Sequence, residues 1–179
     1  MHAFDTDRLH MRPLADGDEA LYCRLYTDPV TMRFIATPLS QGAAQRSFGI
    51  ALRQQAPRPQ RWIVREKRGD ADIGLLGLVG AGEGPEIGVV LLVDAHGRGH
   101  GSEAMAGMVE HAFATTALQT ISACQSVVDN PTVIRMMTRL GFTALPPTAG
   151  RPNGGDWLLH RMDWHKQPRV NVAADDADR

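Results

Sequence analysis

His96-Gly97-Arg98-Gly99-His100-Gly101 puts a glycine at every second position, directly after the apolar run Ile87 to Val93 and before a stretch with helical spacing. Glycine lets the main chain turn tightly and approach a ligand with no Cβ in the way. At the start of a helix the first four N–H groups lack partners and the dipole end is positive. A strand, a glycine cluster and a helix N-terminus in that order form a cradle for a phosphate or diphosphate, to which Arg98 adds a charge. Two familiar phosphate loops are excluded by spelling. A Walker A loop requires Gly-Lys, and no Gly-Lys pair occurs in the chain. The Rossmann pattern requires a third glycine where Ser102 stands, and it belongs between parallel strands. A glycine-rich turn that only joins a strand to a helix is the competing reading of these six residues.

Upstream lie three short apolar runs, Trp62-Ile63-Val64, Ile73 to Val79 and Ile87 to Val93. Arg68-Gly69-Asp70 and Gly82-Glu83-Gly84-Pro85 supply the turns, which predicts an antiparallel meander. Arg8 to Leu14 alternates apolar and polar residues, the period of a half-buried strand. Three helices are predicted between these strands. Asp16 caps one with Ala20, Leu21 and Leu25 on a face, Asp28-Pro29 opens a short one, and Ser40 caps a third carrying Ala44, Phe48, Ala51 and Leu52. Pro57 and Pro59 end the third.

Downstream, Met105, Met108, Val109, Ala112 and Phe113 mark the helix that follows the glycines. Thr120 to Val128 reads as a strand. Asn130-Pro131 opens a helix with Ile134, Met137 and Leu140, and Gly141 closes it. Phe142 to Leu145 and Trp157 to Trp164 read as two last strands around Pro146 to Asp156, a Pro- and Gly-rich stretch expected to be a mobile loop. Residues 1–166 form one domain and the polar residues 167–179 a disordered tail. The sum is an α/β (α+β) sandwich, a mixed and mostly antiparallel sheet of six to seven strands with helices on both faces.

At 179 residues the chain is one domain long, and its 43% apolar content suffices for a core without disulfides or metals. Nineteen basic residues against twenty acidic ones, mixed along the chain, point away from a nucleic-acid partner. No apolar run approaches the roughly 20 residues that cross a bilayer. Met1-His2-Ala3-Phe4-Asp5 has no apolar stretch and does not read as a signal peptide. Cys23 and Cys124, both in apolar periodic segments, read as free thiols in a reducing cytoplasm.

The glycine cluster and its setting resemble the GNAT N-acetyltransferases, in which a strand leads into Gln or Arg, two residues, then Gly-x-Gly or Gly-x-Ala and a helix. Gly99 and Gly101 match the small positions, and His96 stands where the family has Gln or Arg. The likeness extends to the RimJ/RimL-like branch, whose best-known members acetylate the N-termini of ribosomal proteins. Thr6-Asp7-Arg8-Leu9-His10-Met11-Arg12-Pro13-Leu14 looks like its T-x-R-L-x-L-R-P-L opening, and Asp28-Pro29-Val30-Thr31-Met32 like its first short helix. Glu86-Ile87-Gly88-Val89 occupies its E-I-G-Y strand, Asn130-Pro131-Thr132 through Leu140-Gly141-Phe142 its N-x-x-S…L-G-F helix, and Arg161 to Trp164 its closing R-x-x-W.

The resemblance implies a splayed strand pair that binds acetyl-CoA, without a metal. Main-chain groups of Leu91, Leu92 and Val93 would pair with the pantetheine. His96, Gly97, Arg98, Gly99, His100, Gly101 and Ser102 would hold the diphosphate, and Asn130 would reach the cofactor from the facing helix. It implies transfer of an acetyl group to a primary amine, on a protein N-terminus or a small molecule, by direct attack in a ternary complex. Homodimers are common in such enzymes.

The chemistry needs a neutral amine, a donor for the thioester oxyanion and a proton for the departing thiolate. Glu86 is the candidate general base, acting through water; a solvated strand-edge charge is the plainer reading. Val133 and Met137 stand where relatives carry Ser and Tyr, so no general acid is identified, and a CoA-binding sensor without catalysis is the alternative function. Cys124 on the strand beside the gap reads as a buried strand cysteine rather than an acetyl relay, and His100 and His111 as solvent-facing. No histidine pair has zinc spacing with a third ligand.

Overall fold

The computed structural model describes residues 2–55, 60–80, 84–125, 130–146 and 155–166. The outer part of the Gly82–Pro85 turn, Pro57 and Pro59, the end of the Thr120–Val128 run, most of the Pro146–Asp156 loop and the tail from 167 lie outside these residues.

Eight strands form one sheet in the order β1-β2-β3-β4-β5-β6-β8-β7, one more than the largest count expected from the sequence. They are β1 (Phe4–Asp5), β2 (Leu9–Pro13), β3 (Arg61–Glu66), β4 (Ala71–Val79), β5 (Glu86–Leu91), β6 (Thr120–Gln125), β7 (Thr143–Ala144) and β8 (Gly155–His160). β1 is two residues long, too short to show a period, and pairs with β2 through Phe4 and Met11. β3 to β5 make the predicted antiparallel meander, and β2 extends it by pairing antiparallel with β3. Every neighbouring pair is antiparallel except β5 with β6, which run parallel.

Alternation along the strands builds two cores. Leu9, Met11, Trp62, Val64, Leu76, Ile87 and Ile121 face α4 (His100–Thr115), whose Met105, Met108, Val109 and Ala112 are buried against them, with Met137 and Leu140 joining from the region of α5 (Pro131–Arg139). Ile63 and Leu75 point to the other face, against Tyr22 and Leu25 of α1 (Glu19–Thr27) and Phe48 and Ala51 of α3 (Gln41–Arg53). Each such buried Leu, Ile or Phe contributes about 1.5–3 kcal/mol over its exposed state.

The predicted caps are present at Asp28, whose carboxylate accepts from the Thr31 N–H at 2.7 Å at the start of α2 (Pro29–Met32), and at Ser40, which accepts from the Ala43 N–H at 3.3 Å. The first helix differs. Residues Asp16–Asp18 form a 3₁₀ turn, and Asp18 rather than exposed Asp16 is the buried residue there. Asp18 accepts from the Ala15 N–H at 2.8 Å and from both terminal nitrogens of Arg12 at 2.8 and 2.9 Å.

The end of the chain also departs from the expected strand. β8 stops at His160, and α6 (Arg161–Lys166) follows. Arg161 turns back and donates to the carbonyls of Leu118, Phe113 and Thr116 at 2.6, 2.5 and 2.7 Å, so it satisfies the C-terminal end of α4 and the turn beyond it. Trp164 Nε1 donates to Glu110 at 2.7 Å. These distant partners override the strand-like spacing of Trp157 to Trp164.

Candidate active site

Among the described residues the parallel pair β5–β6 is registered only at Glu86–Ser122 and Ile87–Ala123, although β5 continues to Leu91 and β6 to Gln125. The Leu92 N–H donates across to Ile73 O at 2.8 Å, and the Ser122 N–H donates to Pro85 O at 3.0 Å. Main-chain groups of residues 86, 88, 90 and 92 therefore point to β4, and those of 85, 87, 89 and 91 point to β6. Beyond Ile87 both main-chain groups of Val89 and the N–H of Leu91 face the gap, while Leu91 O lies 2.9 Å from a ring nitrogen of His96.

The gap leads into a cleft of about 600 Å³ that ends at the glycine loop. The loop is built by conformation as much as by composition. Gly97 and Gly99 take φ of +75° and +70°, in the left-handed region, on either side of Arg98, and Gly99 is the N-cap of α4. Alternating hand along successive residues is the backbone geometry that can aim N–H groups at one anion, and here it stands at the positive end of a 16-residue helix. Gly101 is helical, and a Cβ there would meet Leu91 Cδ1 at 3.7 Å and Val89 Cγ1 at 3.9 Å, on the cleft floor.

Leu91, His96, Gly97, Arg98, Gly99, His100, Gly101, Ser102 and Asn130 all line this cleft. Leu92 and Val93 do not. Leu92 has spent its N–H on Ile73 and its carbonyl on the Ala95 N–H at 2.9 Å, and its side chain is in the α1–α3 core. Val93 begins a 3₁₀ turn and its carbonyl accepts from the His96 N–H at 3.0 Å. The gap-facing main chain belongs instead to Val89 and Leu91. A ring nitrogen of His96 lies 2.9 Å from Leu91 O, so this residue, at the family's Gln or Arg position, is tied to the strand.

Asn130 caps α5, its side chain accepting from the Val133 N–H at 3.4 Å, and this leaves its NH₂ group as a donor beside the cleft. Thr132, Val133, Arg135, Met136 and Arg139 of α5 form the facing wall, and Thr31, Phe34 and Ile35 form a lip on the third side. Arg135 and Arg139 were not singled out by sequence; their spacing of four on a helix facing a phosphate-binding loop was the available signal. Among the described residues of α5, Thr132 carries the only hydroxyl on the wall, one position before Val133. Met137 is buried in the core.

Glu86 starts β5 at the apex of the splay and is exposed. It alternates with Ile87, which is buried against α4, so Glu86 and Gly88 lie on the opposite face of the sheet from the glycine loop's helix. A Cβ on Gly88 would meet nothing within 4 Å, so that face is open at the apex. Cys124 is half-buried on β6 opposite Asp156, and neither it nor buried Cys23 is in a disulfide.

The two histidines expected in solvent are placed otherwise. His100 is 3% exposed, with Nε2 at 3.6 Å from Glu66 Oε1, and burial, aided by the charge of Arg8, holds its pKa below the ordinary value. His111 stacks on Phe4 with ring centroids 4.4 Å apart, and burial lowers its pKa too. A second cavity is lined by Arg8, Glu66, Lys67, Arg68, Arg98 and His100 among others, and shares Arg98 and His100 with the cleft.

The family model for the acetyltransferase (GNAT) domain matches residues 8–143. No curated protein gives a match. Among solved structures, an acetyltransferase from Agrobacterium tumefaciens is 22% identical, with a TM-score of 0.75 over 90% of this chain and 95% of that one. Spermidine N-acetyltransferase from Vibrio cholerae, solved with CoA and spermine, is 17% identical with a TM-score of 0.73 over 89% and 99%. A GNAT-family acetyltransferase from Bacillus anthracis is 15% identical with a TM-score of 0.74 over 88% and 98%.

Proposed function

The chain belongs to the acetyltransferase (GNAT) domain family, and from that premise we propose that it moves the acetyl group of acetyl-CoA directly to a primary amine, on a small molecule or a protein N-terminus. The observation that carries this reading is the splay of β5 from β6, with the main-chain groups of Val89 and Leu91 facing a gap that ends at the left-handed glycines. The residues present fit the coenzyme in three places. The nest of Gly97 and Gly99 with Arg98, Arg135 and Arg139 suits a diphosphate. The gap suits an amide-bearing chain that pairs as a strand does. Asn130 supplies a donor at the wall.

Holding both substrates at one apex supplies much of the rate through proximity. Glu86 sits on the open face of the sheet, where an amine would arrive from the side opposite α4, and takes the amine proton through water. The Val89 N–H, facing the gap, stabilises the oxyanion of the thioester carbonyl. Thr132 stands in for the hydroxyl that relatives carry one position later and donates to the departing sulfur. The polyamine bound in the Vibrio structure is one acceptor class to test, with peptides and aminoglycosides as others.

Thiol release from acetyl-CoA, measured across a panel of spermidine, N-terminal peptides and aminoglycosides, tests the proposal. Turnover with at least one amine supports it. Tight CoA binding with no turnover on any amine turns the assignment to a CoA-binding sensor, and absence of CoA binding removes the reading.

A further inference from the structure

The start of the chain reaches across the molecule to the glycine loop. Glu103, in the first turn of α4, is 6% exposed, yet its carboxylate accepts three hydrogen bonds. They come from Thr6 Oγ1 at 2.6 Å, the Arg8 N–H at 2.8 Å and Arg8 Nε at 2.6 Å. Burial alone would raise its pKa; the bonds from Thr6 and Arg8 outweigh burial and keep the group below the ordinary value. Arg8 then extends Nη1 to the carbonyl of Arg98 at 2.8 Å. One planar guanidinium thus serves an acid on the helix and a carbonyl in the loop at once, which a lysine ammonium cannot do in the same geometry.

The carbonyl of Arg98 and the N–H of Gly99 belong to one peptide group, which is planar and trans, so they point in opposite directions. Arg8 lines the second cavity and not the cleft, whereas Gly99 lines the cleft. A carbonyl held toward Arg8 turns the Gly99 N–H away from Arg8, and Gly99 is a residue of the cleft lining. Gly99 at φ +70° has the freedom to take this orientation and, unheld, to leave it.

We propose that Arg8 is a positioning residue for the donor substrate. Clamped by Glu103 and Thr6, it holds the Arg98 carbonyl and thereby aims the Gly99 N–H at the diphosphate of acetyl-CoA. The inference rests on the reading of the glycine loop as the CoA site. It gives the Thr6-x-Arg8 opening a function about 90 residues from where that function is exercised.

The test compares two donors, acetyl-CoA and S-acetylpantetheine, which carries the same thioester without a diphosphate. Arg8→Gln is expected to lower kcat/KM for acetyl-CoA about tenfold or more, the range for a hydrogen bond to a charged group, through KM and with kcat nearly unchanged. With acetylpantetheine the same variant should match the wild type. Thr6→Ser, which keeps the hydroxyl, should retain the wild-type KM, and Thr6→Val should raise it. In ¹⁵N spectra the Gly99 amide should shift on CoA addition in the wild type and not in Arg8→Gln. If Arg8→Gln does not fold, Arg8→Lys, which keeps the charge at a single point, replaces it in the same comparison. Equal losses with both donors mean Arg8 only ties β2 to α4, and unchanged kinetics with both mean the clamp is idle; either overturns the proposal. Failure of the wild type to bind CoA at all would instead overturn the parent reading, and is seen without any variant.

Discussion

Alanine at Gly99 and at Gly101 should move stability in opposite directions, although the two residues stand one apart in the same motif. Gly99 holds φ at +70°, where a Cβ crowds its own carbonyl by about 1–2 kcal/mol. A chain of this size loses about 2–4 °C of Tm per kcal/mol, so Gly99→Ala should melt roughly 2–8 °C lower. Gly101 is already helical, and its new Cβ would find only ordinary contacts, Leu91 Cδ1 at 3.7 Å and Val89 Cγ1 at 3.9 Å. Gly101→Ala therefore gains up to about 1 kcal/mol of helix propensity and should melt about 2–4 °C higher. Coenzyme binding should separate the pair again. Straining the Gly99 peptide weakens a charge-assisted bond of about 1.5–3 kcal/mol, which is roughly 10- to 150-fold in Kd, while Gly101→Ala should stay within about threefold. Thermal melting without ligand and calorimetric titration with CoA read both effects. Shifts of the same sign in Tm, or equal affinity in the two variants, would refute the conformational account of the loop.

Glu86→Gln should lower kcat by about 10²–10⁴ and leave the CoA Kd unchanged, because Glu86 lies at the apex and not along the cleft; a changed Kd or an unchanged kcat contradicts its role. Arg161→Ala strands three carbonyls at the end of α4 and in the turn beyond it and should cost about 2–4 kcal/mol in urea unfolding, and a loss within about 0.5 kcal/mol, the size of an ordinary surface change, would show that water replaces the side chain freely. His100 and His111 both have folded pKa values below the ordinary 6.5, so the unfolded chain takes up protons that the folded one does not. Stability should then fall as pH drops from neutrality through about 6.5 toward 5, and His100→Gln should flatten that slope. A wild-type melting temperature that holds or rises over this window would contradict the burial of both rings.

Local signals carried most of the architecture. The glycine cluster, the meander and the caps at Asp28, Ser40 and Asn130 are each decided within a few residues, and each stands where its spelling placed it. What failed depended on distant partners. Trp157 to Trp164 reads as one strand until Arg161 is drawn to the end of α4 and Trp164 to Glu110. His100 looks like a loop histidine, and only the arrival of Glu66 and Arg8 buries it. The resemblance sets Leu91, Leu92 and Val93 on the gap, but which alternate residue faces β6 is set by pairing register with β4, which no single strand reveals. Arg8 and Glu103 lie 95 positions apart, and neither carries a local mark of the other.

The two matched positions between β5 and β6 have a mechanical meaning. On the sheet itself, β1 to β5 and β6 to β8 are two panels stitched at one end, and among the described residues the packing of α4, α5 and α6 joins them elsewhere. A ligand that bonded to the frayed edge would complete the missing stitches, so on the proposed coenzyme mode the loaded protein should be a stiffer body than the empty one. Amide exchange in β6 and β8 should therefore slow in step with coenzyme occupancy.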